Sequence, residues 1–305
     1  MNTRHAQLIL AILREGSFTA AAKALFITQP TLSQTVKQIE AQLGEAIFTR
    51  GHAPAQLTPA GELYVQAARR MLQIEAQLAE GLSALHGHTQ GTLCLGLPLQ
   101  RADELLPQIL PDFYAACPDV TITALSAPAP ELERLLCSGE LDMALISSPD
   151  SHPRLTYQLI ASDEIVLLAG RRTALAQRIP SGSTINLCEC AAERFILPAD
   201  GLPLRQAYDA LLQSQGVAPH AVMQCDDAQC AKRVCAACSL VMLSPFISLL
   251  SDSAAMQQLA HYRLTDAFLP PLRMAYAREM PPSPYAQKLF TLMSNRFRAM
   301  TAYRA

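Results

Sequence analysis

The sequence predicts an α/β protein: a small all-helical head, a long connecting helix, and a body of alternating strands and helices. Three observations predict this. Residues 17–44 show apolar positions at helical spacing twice over, on either side of one tight turn. Residues 59–85 keep an apolar repeat of alternating threes and fours. From Thr92 onward, short apolar runs alternate with amphipathic segments, the β-α-β rhythm of a parallel sheet.

Composition sets the bounds. The chain has 305 residues, 50% hydrophobic and 16% charged, which is globular and enough for two or three domains. The net charge is -2, unpromising for a polyanion binder. Its distribution says more: Met1 to Arg70 holds seven Lys+Arg against four Asp+Glu, so a mildly basic head precedes an acidic body. No apolar run reaches the length of a membrane span. Leu8 to Leu13 is too short for a signal peptide and Arg14-Glu15 interrupts it, so a cytoplasmic location is expected. The nine cysteines, all from Cys94 onward, are then expected to be reduced.

Leu8, Ile9, Ile12 and Leu13 make residues 4–14 a first helix, which Gly16 ends. Phe18, Ala21, Ala22 and Leu25 share one face of a second, with Ser17 as its cap. Leu32, Val36, Ile39 and Leu43 share one face of a third. Thr28 caps it, Pro30 falls in its first turn, and Gly44 stops it. Its opposite face carries Gln29, Pro30, Ser33, Gln34 and Lys37, hydrogen-bonding groups and one cation without a carboxylate or an aromatic. Such a face suits the DNA major groove: Gln pairs with adenine, Ser donates or accepts, and Lys meets phosphate or guanine. A merely solvated helix face is the alternative.

Beyond that helix the pattern lengthens. Ser17, Thr19, Ala21, Ala22, Leu25, Gln29-Pro30, Ser33, Ile39-Glu40, Leu43-Gly44, Phe48, Arg50, Leu57-Thr58 and Ala60-Gly61 closely resemble the N-terminal signature of LysR-type transcriptional regulators. The resemblance is dense over roughly the first sixty residues. It implies a winged helix-turn-helix domain over residues 1–58, with a two-stranded wing between Ala46 and Leu57. The implied DNA-binding residues are Thr19, Thr28, Gln29, Pro30, Thr31, Ser33, Gln34, Lys37 and Arg50. The wing tip Gly51 to Gln56 has few cations where the family commonly has more, so Arg50 is its main phosphate candidate and His52 a solvated loop residue.

Thr58-Pro59 opens the long helix, with Thr as cap and Pro at its first position. Ala60, Tyr64, Ala67, Met71, Ile74, Leu78, Gly81 and Leu85 form a heptad-like seam along about 40 Å. Met71, Ile74, Leu78 and Leu85 are the expected contacts between two subunits; a core helix of one domain is the alternative. Residues 86–91 read as a hinge, so residues 59–90 form a linker segment, and His86 and His88 read as exposed rather than metal-binding.

In the body, strands are expected at 92–97, 120–125 and 141–146, with helices at 103–115 and 131–137 between them. A second set follows from Asp163, with strands near 194–197, 221–225 and 240–243 and helices near 204–215 and 228–237. A last strand and helix, 273–277 and 284–299, return to the first set. Two lobes with crossing connections resemble a periplasmic-binding-protein fold, which is that of the LysR-type effector domain, here 91–305 with lobes 91–161 plus 267–305 and 162–266. Gly139-Glu140-Leu141-Asp142-Met143-Ala144 resembles the family's turn into its third strand. Val234 to Pro245 resembles another segment of the family but departs from it: Cys235, Cys238 and Ser239 stand in or near positions where alanine and glycine are preferred.

In such a domain ligands sit at the carboxyl ends of the strands, between the lobes. The candidates there are Leu99, Gln100, Arg101, Ser126, Ser147, Pro198, Asp226 and Ser244, set against the alternative that each is an ordinary loop residue. They favour a small polar effector, an anionic one if Arg101 grips it through two parallel hydrogen bonds. The cysteines offer a different reading. Cys188-x-Cys190 and Cys230, Cys235 and Cys238 hint at a metal or thiol site, but paired C-x2-C knuckles are absent and buried structural cysteines are expected. No nucleophile–base motif and no phosphate-binding glycine loop occurs, so no enzymatic activity and no cofactor is expected. The expectation is a homodimeric or homotetrameric, operator-binding regulator with a small-molecule effector. A solute-binding module without DNA binding and a thiol- or metal-responsive protein are the alternatives.

Overall fold

The computed structural model describes residues 2–49, 54–85, 90–147, 151–162, 164–250, 254–265 and 271–302. The head packs α1 (Thr3–Glu15), α2 (Phe18–Ala24) and α3 (Gln29–Leu43) around Ile9, Ile12, Ala21, Leu32, Val36 and Ile39, all buried. Each buried Val, Leu or Ile side chain among them contributes roughly 1.5–3 kcal/mol. Asn2, Ser17 and Thr28 cap the three helices by accepting a backbone N–H three residues on. Gly44 ends α3 at φ 79, a left-handed geometry that costs glycine little. Phe26, in the turn between α2 and α3, adopts φ 54 and is fully exposed, which the sequence pattern does not announce.

After α3 the chain turns back on itself. Phe48 and Leu57 form an antiparallel bridge, and Thr49 N donates to Gln56 O at 2.9 Å. The tip between them, with Arg50 and His52, lies outside the described residues. Next comes α4 (Pro59–Leu85), 27 residues long. Its first turn is pressed onto the returning arm: a Cβ on Gly61 would stand 2.1 Å from Ile47 O. The hinge residues 86–89 are also outside the described residues.

The body contains β1 (Gln90–Leu97), α5 (Leu99–Ala116), β2 (Asp119–Ser126), α6 (Ala129–Ser138), β3 (Met143–Ile146) and β4 (Leu155–Ser162). There follow β5 (Ile165–Gly170), α7 (Ala174–Arg178), β6 (Thr184–Ile185), β7 (Arg194–Pro198), α8 (Pro203–Ser214), β8 (His220–Cys225), α9 (Ala228–Cys238) and β9 (Val241–Pro245). The chain closes with α10 (Ala254–Gln257), β10 (Leu259–Leu264), β11 (Pro271–Ala277) and α11 (Pro284–Ala302). One sheet has the order β2-β1-β3-β11-β4, the other β6-β10-β5-β9-β7-β8. The chain leaves the first sheet after β4 and returns to it at β11, so two connections cross between the lobes.

Each lobe has its own core. Leu95, Leu105, Phe113, Leu145 and Met274 belong to the first, and Leu167, Phe195, Tyr208, Leu243 and Tyr262 to the second. The sheets are mixed where the sequence rhythm suggests parallel ones. In the first, β11 runs antiparallel to β3 and β4; in the second, β5 runs antiparallel to β9 and β10. Strands β4, β6 and β10 stand where no strand is expected from sequence. In β4 most side chains are partly exposed, and in β10 His261 and Arg263 interrupt the apolar run, so neither shows a clean period.

Candidate DNA-reading helix and inter-lobe cleft

Three regions carry the candidate site residues: the outer face of α3, the flank of α4, and the cleft between the lobes.

The apolar face of α3 is anchored in the head. Its far end is fixed by Glu40, whose Oε1 accepts Ile47 N at 2.8 Å and Phe48 N at 3.3 Å. That leaves Gln29, Pro30, Thr31, Gln34 and Lys37 exposed and Ser33 half-buried on the outer face. Gln29 Nε2 donates to Ser33 Oγ at 2.9 Å, and the Thr28 and Thr31 hydroxyls pair at 2.7 Å. Thr19 is exposed on α2. No acidic side chain occupies the first turn of α2 or α3, so their N-terminal N–H groups keep the positive potential that attracts phosphate.

Along α4 the expected seam divides. Tyr64 is buried in the head and Met71 packs against the same core. The exposed apolar stripe is instead Leu63, Ile74, Leu78 and Leu82, at 70%, 57%, 65% and 51% exposure. The side chain of Leu85 lies outside those described. A head core formed by the same helix draws Met71 inward; sequence spacing alone does not separate two adjacent apolar faces.

Another flank of α4 lies on the first lobe. Arg69 meets Glu140 at 2.6 Å, Arg70 meets Glu279 at 2.6 Å, and Gln73 Nε2 donates to Asp142 Oδ1 at 3.2 Å. Asp142 Oδ2 also accepts Cys94 N at 2.8 Å, which ties the turn to β1. Burial raises the Asp142 carboxyl above its ordinary value, against the lowering effect of these two donors.

The cleft holds an ion pair that no sequence motif signals. Lys232 on α9 of the second lobe places Nζ 2.6 Å from Glu104 Oε1 on α5 of the first. Both are buried, at 0% and 4% exposure. Ser248 Oγ donates to the same Oε1 at 2.7 Å, and Ser244 Oγ donates to Ser248 Oγ at 2.8 Å. Glu104, Ser244 and Ser248 line a cavity of about 20 Å³ with Leu197, Pro198, Leu204, Tyr208 and Met242.

Of the residues expected at the cleft, Pro198 and Ser244 line this cavity. Arg101 is buried in the first turn of α5, three residues before Glu104. Ser126, Ser147 and Asp226 are exposed and not part of the cavity wall; Ser126 ends the edge strand β2 and Asp226 follows the edge strand β8. The side chains of Leu99 and Gln100 are outside those described. Glu104, Lys232, Tyr208 and Ser248 are absent from the sequence-derived set. The available signal was partial: Lys232 has Ala228, Cys235 and Ala236 at helical spacing along α9, but Glu104 has Arg101 and Gln108 at helical spacing along α5, so nothing local marks it as buried.

The cysteines are less uniformly buried than expected. Cys117, Cys190 and Cys235 are buried, while Cys188, Cys230 and Cys238 are exposed, because neighbouring positions on one helix turn alternate between core and solvent. Burial pushes the Cys190 and Cys235 thiols up to about 12, which keeps them protonated. Among the described residues no group of three or more His, Cys, Asp or Glu is placed to hold a metal ion. Among those residues, too, no helix is long and apolar enough to cross a membrane.

Two family descriptions match the chain. "LysR substrate binding domain" covers residues 86–298, and "Bacterial regulatory helix-turn-helix protein, lysR family" covers residues 3–62. The HTH-type transcriptional regulator CfxR of Cupriavidus necator is 29% identical over 251 residues, which are 82% of this chain and 76% of the relative. The HTH-type transcriptional regulator YybE of Bacillus subtilis is 27% identical over 242 residues, 79% and 82% of the two chains. Among solved structures, full-length CbnR complexed with its target DNA aligns with a TM-score of 0.63 at 22% identity, over 97% of this chain and 99% of the other. A full-length OxyR variant from Pseudomonas aeruginosa aligns with a TM-score of 0.72 at 20% identity, over 97% of each. At these identities the structural likeness shows a shared fold.

Proposed function

The chain belongs to the LysR family of DNA-binding transcriptional regulators, and we propose that three parts of it divide the work. Residues 1–58 read an operator with α3, residues 59–90 pair two copies along α4, and the two lobes of 91–305 sense a small molecule between them. The lobes take residues 91–161 plus 267–305 and residues 162–266. The observation that carries this reading is the outer face of α3. Leu32, Val36 and Ile39 fix the helix from behind, and Gln29, Gln34 and Lys37 stand clear in front.

In this reading Gln29, Ser33 and Gln34 meet base edges, and Thr19, Thr28, Thr31, Lys37 and Arg50 meet the backbone. One such head covers few base pairs, so a dimer on an interrupted dyad supplies specificity. Ile74 and Leu78 belong to the pairing surface, with Leu63 and Leu82 added to it. A ligand touching both lobes favours one inter-lobe angle over another. The contacts of α4 with the first lobe, Arg69–Glu140 and Gln73–Asp142, connect that angle to the heads.

The chain acts by binding rather than by catalysis, in the cytoplasm beside the DNA it reads. Family membership supports this over a solute-binding module or a metal- or thiol-dependent protein. The test is selection of genomic fragments by the purified full chain, followed by Gln34→Ala and Lys37→Ala. Gln34→Ala relaxes base preference by about 1–3 kcal/mol at the contacted position. Lys37→Ala weakens all sequences alike and reduces the salt slope by about one. Unchanged preference and unchanged salt slope in both variants overturn the assignment of α3.

A further inference from the structure

The Glu104–Lys232 pair lies where the two lobes meet, at a junction that also buries Ile247 of the second lobe in the first lobe's core. Glu104 stands on α5 beside Leu105, in the first lobe's core, and Lys232 on α9 beside Ala231 and Cys235, in the second's. Two buried charges are a poor adhesive for two lobes. Desolvation offsets most of their attraction, and apolar side chains of similar size hold a joint as well or better. What a charged joint allows is exchange, because a ligand with matching charges can replace each partner in turn.

The hydrogen-bonding inventory points the same way. The Lys232 ammonium has three N–H donors in a fully buried position, and Glu104 Oε1 is the acceptor recorded for it among the described residues. Ser248 and Ser244 extend the polar end of the cavity, and Leu197, Leu204, Tyr208 and Met242 form apolar walls. Among the described residues the buried charged side chains are Arg101, Glu104, Glu164 and Lys232, two of each sign.

We propose that Glu104 and Lys232 occupy each other's ligand positions in a closed sensing cleft, and that the effector is a small zwitterion with an apolar side chain, chemically a free amino acid. Its carboxylate takes Lys232, its ammonium takes Glu104, and its side chain lies against the Leu197, Leu204 and Met242 wall. A simple carboxylate that took Lys232 would leave Glu104 buried without its cation. A simple amine would leave Lys232 in the same position. A zwitterion satisfies both at no change in net charge, and by standing between them it parts α5 from α9 and alters the inter-lobe angle. This inference rests on the reading of the cleft as the sensing site.

The test uses the full-length protein. Calorimetric titration compares the twenty common L-amino acids with the acid lacking the amino group and the amine lacking the carboxyl group for each apolar member. At least one amino acid is expected to bind at least tenfold more tightly than both of its single-charge analogues. The double variant Glu104→Gln/Lys232→Met, which removes both charges of the pair together, is expected to lose that binding at least tenfold. Lys232→Arg, which keeps the charge, is expected to retain part of it. Absence of binding by every amino acid overturns the proposal. So does tighter binding of an acid or an amine, or binding unaffected by the double variant. Fragment selection on the same preparation reports separately on the regulator: a chain that selects DNA but ignores amino acids loses this inference alone.

Discussion

Arg69 on α4 and Glu140, in the turn between α6 and β3, meet at 2.6 Å although 71 residues separate them in sequence. Ser138 Oγ donates to the same Glu140 oxygen at 2.8 Å, and Asp142, two residues on, takes both Gln73 Nε2 and Cys94 N. The Gly139-Glu140-Leu141-Asp142 turn is thus where the linker helix meets the first lobe. A double-mutant cycle of Arg69→Ala and Glu140→Ala is expected to give a coupling of about 0.5–1 kcal/mol in denaturant unfolding, modest because both side chains are partly solvated. Strictly additive effects would show that the contact carries no energy of its own.

The two apolar faces of α4 separate by substitution. Ile74→Asp and Leu78→Asp place a charge on the exposed stripe, so dimer formation is expected to fall while the melting temperature of the monomer stays near its original value. Met71→Asp puts a charge against the head core and is expected to destabilise the head by about 2–4 kcal/mol. Light scattering and thermal melts read the two effects. A dimer that survives Leu78→Asp with normal operator affinity would remove the stripe from the interface.

Ser239 caps α9 at φ 55, in the left-handed region where side chains other than glycine are strained. It also lies against Gly170, where a Cβ would stand 3.0 Å from Ser239 Cα and 2.6 Å from Cys235 O. Ser239→Gly relieves the strain and is expected to stabilise the second lobe by about 0.5–1 kcal/mol, the gain being limited by the extra freedom of glycine in the unfolded chain. Gly170→Ala is expected to destabilise it. Equal urea midpoints for wild type and Ser239→Gly would mean that the turn is unstrained.

His261 on β10 gives the second lobe a pH dependence. Burial, and then the nearby Arg263 charge, lowers its imidazole below the ordinary value of 6.5. Between that value and its folded pKa the unfolded chain binds more protons than the folded one, so stability rises with pH. The corresponding stability is present above about pH 6.5 and is lost as pH falls towards the folded pKa. His261→Gln is expected to flatten that part of the profile, measured as the difference in urea midpoint between about pH 5 and about pH 7.5. A variant with the wild-type slope would place the titration elsewhere.

Local physics was enough to read the head from sequence. Ser17, Thr28 and Gly44 mark helix ends through hydrogen bonds and backbone geometry that span a few residues, and Leu32, Val36 and Ile39 mark a buried face by spacing alone. The alternating body was legible for the same reason, whereas the two-lobed fold came as what the family resemblance implies. Tertiary structure decided what distant parts do to one another. Which apolar face of α4 turns inward depends on the head core that receives Met71. Strands β4 and β10 take their places beside partners that no local period names. The ion pair at the cleft joins Glu104 to Lys232 across 128 residues. Helical and strand periods record which side of an element is buried; which buried group meets which is set by the packing of one element on another, and only the folded chain holds that information.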